Sequence, residues 1–169
     1  MANSMWAQIE SRNPERKPEV ILKEQCDIIS DQYPEVLLAR TQRMDKSLDE
    51  YTKGPLANMT DVMSGIAGTR SVDSLLGETD DDKSITYELF VTSPRIPSYK
   101  YRILFLQHGL SAYPTYVYVE KPIRDEIQDT QFPKKVENES DFLTLIREVL
   151  GSERVRDVLS RIVSYDDDF

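Results

Sequence analysis

The chain has 169 residues, a net charge of −9 and a pI near 4.7. That length suits a single domain able to bury about 70% of its unfolded surface. The charge argues against wholesale attraction to nucleic acid or anionic membrane, where phosphate dominates affinity, and permits a basic protein partner. Cys26 is the only cysteine, so neither an internal disulfide nor a Cys-based metal site is expected. No run approaches the ~20 apolar residues of a membrane span, and the start MANSMWAQIESRNPERKPEV lacks an apolar signal core. A cytoplasmic protein is expected.

Met1 to Lys17 is polar apart from Met5, Trp6 and Ile9, whose spacing suits a short docking helix. Pro18 then opens a clearer helix, since proline at the first helical position loses no hydrogen bond. Leu22, Cys26 and Ile29 form its apolar stripe, which makes Cys26 a buried, unreactive thiol rather than a nucleophile. The helix should stop before Tyr33-Pro34. Residues 36–44 fit an edge strand, although Leu37, Met44, Leu48 and Tyr51 also align at helical spacing. Residues 53–83 read as a loop-rich insertion, with a short helix through Leu56, Met59, Met63 and Ile66. Its Glu78 to Asp82 run lacks EF-hand spacing and reads as a solvated loop.

The stretch 84–120 is the centre of the fold, an antiparallel meander whose breaks are too short for crossover helices. Ile85, Tyr87, Leu89 and Val91 alternate with Thr86, Glu88, Phe90 and Thr92. Tyr99 to His108 is nearly continuous in apolar residues through Ile103, Leu104, Phe105 and Leu106, as in a central strand covered on both faces. In the third strand Val117 and Val119 oppose Tyr116 and Tyr118. The chain is then polar until Val136. Asn138 or Ser140 can cap a helix bearing Phe142, Leu145, Ile146 and Val149, with Gly151 placed for a left-handed stop. Ser152 caps a last helix bearing Val155, Val158, Leu159 and Ile162, and the acidic C-terminus is expected to fray. The predicted class is α+β, a three- or four-stranded antiparallel sheet packed against N- and C-terminal helices.

Chemistry is sparse. His108 is the only imidazole and has no triad partner by spacing. There is no phosphate-binding glycine motif, so no cofactor is expected. One His and one Cys exclude a His- or Cys-based metal site, and the carboxylates show no recognisable ligand spacing, so no metal is expected. One constellation stands out: Arg95, Lys100, Arg102 and Arg124 lie among Tyr99, Tyr101, Tyr113, Tyr116 and Tyr118. Such a mixture suits a protein-binding hot spot or a stacking platform for single-stranded nucleic acid. It also follows simply from the preference of tyrosine for strands and of cations for sheet edges. The segments PEVILKEQCDII, YKYRILFLQHGLSAYPTYVYV and SDFLTLIREVL resemble small uncharacterised bacterial α+β proteins. That resemblance implies a bacterial cytosolic origin and carries over no functional residue.

The expected function is a non-enzymatic protein-interaction module, an acidic neutralising or accessory partner of a more basic protein. The alternatives are an enzyme using His108 as base, with its site between residues 53–83 and the meander, or a single-stranded nucleic-acid binder.

Overall fold

The computed structural model describes residues 15–45, 48, 76 and 84–165. The short helix expected around Met5 and Ile9, the expected insertion (Leu76 apart) and the acidic tail after Tyr165 lie outside the described residues. Helix α1 spans Pro18–Gln32 and strand β1 Leu38–Arg43. Strands β2 (Ile85–Ser93), β3 (Ile96–His108) and β4 (Thr115–Val119) form the meander. Helix α2 (Lys121–Glu126) and strand β5 (Lys134–Val136) follow, then α3 (Glu139–Leu150) and α4 (Glu153–Val163). The fold is α+β with an antiparallel sheet, as expected, but the sheet has five strands in the order β1-β2-β3-β4-β5.

Local chemistry accounts for the helix ends. Pro18 begins α1, and the Lys17 carbonyl accepts from the Val20 and Ile21 N–H groups. The Tyr33 N–H closes α1 on the Ile29 carbonyl, and Pro34 prevents continuation. Asn138 caps α3 by accepting from the Asp141 N–H at 2.9 Å, and Ser152 caps α4 by accepting from the Val155 N–H at 3.3 Å. Gly151 departs from expectation. Its backbone is right-handed, with φ −85°. Glycine is needed there because a Cβ would lie 2.8 Å from the Arg147 carbonyl oxygen.

Residues 36–44 settle as a strand because β1 pairs along its whole length with β2, from Leu38 opposite Thr92 to Arg43 opposite Tyr87. The stretch after Ile123, polar by sequence until Val136, holds the end of α2 and strand β5. Pro122 marks the start of α2, and Val136 is the one buried residue of the three in β5.

The helices pack on one face of the sheet. Leu89, Val91, Leu104, Leu106, Val117 and Val119 meet Leu22, Phe142, Ile146, Val155 and Ile162 there. The apolar run in β3 also holds an irregularity. Leu89 lies opposite Leu104 and Phe90 opposite Arg102, so Ile103 has no partner in β2 and forms a bulge. Both Ile103 and Leu104 are thereby buried.

Candidate interaction surface

Strand parity divides the meander's side chains between two faces. Tyr101 lies opposite Val91 and shares its helix-side face, and Tyr99 packs half-buried against the same core. The Tyr101 hydroxyl donates to Glu120, which also accepts from Arg154 Nε at 2.8 Å. Burial, reinforced by that carboxylate, pushes the Tyr101 phenol up. Burial would raise the Glu120 carboxyl too, but the bonds from Tyr101 and Arg154 outweigh it and hold the group below its usual range.

The face away from the helices carries Glu88, Phe90, Lys100, Arg102, Phe105, Tyr116 and Tyr118. Register places Glu88 opposite Phe105, and Phe105 opposite Tyr118. Lys100 Nζ lies 2.6 Å from one Glu88 oxygen and Arg102 Nε 2.7 Å from the other. Only 8% of the Glu88 side chain is exposed. Burial alone would raise its carboxyl, yet the two cationic hydrogen bonds win and hold it below the ordinary carboxylate value. Lys100 Nζ also stands 4.0 Å from the Phe90 ring centroid. Both cations are therefore committed to one buried carboxylate rather than presented as free phosphate ligands.

Beside this cluster lies a groove of about 390 Å³ lined by Arg102, Phe105, Tyr118, Glu120, Phe132 and Leu48. The Tyr118 hydroxyl donates to Gln107 Oε1 at 3.1 Å, and its ring meets Phe132 edge-on at 5.6 Å. Phe132 is 54% exposed, with the Arg124 guanidinium 4.0 Å from its ring centroid. Arg95 sits exposed in the β2–β3 turn, where its backbone N–H donates to Ser93 Oγ.

Of the residues singled out from sequence, the structure groups Lys100, Arg102, Tyr116 and Tyr118 on the outer face. It puts Tyr99 and Tyr101 on the helix side and Arg95 at one end. The sequence did not mark Glu88, Phe105 and Phe132 as members of this face. Parity with Phe90 would have placed Glu88, but Phe132 is in a polar segment and gave no signal.

His108 is 5% exposed. Its Nδ1 lies 2.7 Å from the Gly109 carbonyl oxygen, which can only accept, so Nδ1 carries a hydrogen. Its Nε2 lies 3.0 Å from Glu19 Oε2 in the first turn of α1. The Tyr87 ring stacks on the imidazole with centroids 5.9 Å apart. The groove described above is not lined by His108, and no described cluster of His, Cys, Asp and Glu has the form of a metal site. Cys26 is buried, with Sγ 3.4 Å from Thr41 Oγ1, and burial pushes its thiol up. No described helix is long and apolar enough to cross a membrane.

No protein-family profile, curated protein or solved structure matches the chain.

Proposed function

We propose that this protein is a non-enzymatic interaction module of the bacterial cytoplasm, an acidic accessory or neutralising partner of a more basic protein. Its contact is the outer sheet face around Phe105, Tyr116, Tyr118 and Phe132. The observation that carries the reading is the 390 Å³ groove walled by aromatic rings, beside two cations that share the Glu88 carboxylate. Rings with a polar tip or a cationic neighbour are the usual anchors of protein interfaces. The net charge of −9 favours a basic partner, and the internal pairing of Lys100 and Arg102 lowers the attraction for phosphate.

The test is capture from cytosolic extract with the full chain, Tyr116→Ala and Phe132→Ala, each at low and high salt. A basic protein retained by the wild type and reduced at least about tenfold by either variant is the expected result. Equal capture by all three overturns this face as the contact. Recovery of nucleic acid with a steep salt dependence overturns the protein-binding reading itself.

A further inference from the structure

A second surface lies on the opposite side of the molecule, where α1 runs past α4. Between them and the sheet is an apolar cavity of about 180 Å³, lined by Gln25, Ile28, Ile29, Leu150, Val155 and Leu159 among others. For comparison, an apolar cavity of about 150 Å³ accepts a benzene molecule. The space therefore suits one aromatic ring or one branched aliphatic side chain. Ile28 lines it while remaining 61% exposed, so apolar surface continues from the cavity onto the outside of α1.

The outside of α1 is acidic. Val20, Lys23, Glu24, Asp27, Ile28 and Asp31 are all exposed and follow one another at i, i+3, i+4, i+7, i+8 and i+11, one side of a helix with three carboxylates and one cation. Val20 is 44% exposed. Glu24 pairs with Arg16 and Asp27 with Lys23, but these pairs are solvated and hold their carboxylates weakly. Asp31, and Glu35 just beyond the helix, have no ion-pair partner among the described residues. Carboxylates in a row beside an unfilled apolar space specify both the charge and the shape of what would complete them.

We infer that this side of α1 is a docking site for a basic peptide segment carrying one apolar anchor. The anchor enters the cavity between Ile28 and Leu159, and lysine or arginine side chains flanking it meet Glu24, Asp27 and Asp31. The inference deepens the proposed function and rests on its claim of a basic protein partner, while using a different surface.

The experiment selects random 12-residue peptides displayed on phage against the immobilised full chain. Enriched peptides are then measured on Asp31→Lys, on the cavity-filling Leu159→Trp and on the outer-face variant Phe132→Ala. Thermal melts of each variant establish that it is folded. The expected result is a consensus with one Leu, Ile, Phe or Trp flanked by Lys or Arg. Its binding falls at least tenfold on Asp31→Lys and on Leu159→Trp and is unchanged on Phe132→Ala. Should Leu159→Trp fail to fold, Ile28→Glu, at an exposed position, takes its place with the same expectation. Peptides lost only on Phe132→Ala overturn this inference and leave the outer-face reading standing. A consensus without basic residues, no enrichment, or a dimer in sedimentation that Ile28→Glu dissolves also overturns it, the last by making a second copy the occupant.

Discussion

Glu88 and Arg102 form an ion pair at 2.7 Å although neither lies directly across the ladder from the other. Glu88 faces Phe105 and Arg102 faces Phe90, so the pair is diagonal across the bulge at Ile103. Were Ile103 a regular strand residue, alternation would put Arg102 on the same side as Leu104, facing the helices. The bulge therefore carries the charge pairing of the outer face and the burial of Ile103 at once.

This arrangement predicts a pH signature. Removing the charge in Glu88→Gln should lower stability at pH 7 by about 1 kcal/mol, a modest value because both cations are partly solvated. The folded-state pKa of Glu88 is depressed below the usual 4.5. Its contribution is therefore full above that value and lost as pH falls through the folded pKa. Urea midpoints of wild type and Glu88→Gln should differ at pH 7 and converge as pH is taken well below 4.5.

His108 and Glu19 join the end of β3 to the first turn of α1 across 89 residues of sequence. A double-mutant cycle with Glu19→Gln and His108→Gln should show coupling of about 1 kcal/mol or more in unfolding free energy. Additive effects would mean the contact contributes nothing to holding α1.

At Gly151 the constraint is the space for a Cβ, not the sign of φ. Gly151→Ala should cost on the order of 1 kcal/mol, as other overpacked sites do. Gly151→Asn should be no better. Rescue by asparagine would indicate a left-handed backbone, where asparagine is tolerated.

Cys26 should react slowly with a bulky thiol reagent in the native protein and rapidly in urea, since its thiol is buried and its pKa raised. Fast native labelling would show that the cavity beside it opens far enough to expose Sγ.

What the sequence by itself determined was local. Pro18, Asn138 and Ser152 set helix starts through hydrogen bonds within a turn, and the stripe through Phe142, Leu145, Ile146 and Val149 marked a buried helix face. The alternation of Val117 and Val119 with Tyr116 and Tyr118 likewise needed only period two. The tertiary structure decided everything that depends on which strand position faces which. Periodicity assigns each strand two faces but cannot say which face of one joins which face of the next. Tyr101 and Tyr116 thus read alike along the chain and end on opposite sides of the sheet. Glu88 becomes the common partner of Lys100 and Arg102 only in the bulged register, and Phe132 reaches Tyr118 only because β5 returns to pair with β4. Register is set by the summed burial of a whole face and by loop closure. No residue carries that information alone, so the outer face existed only once the sheet was assembled.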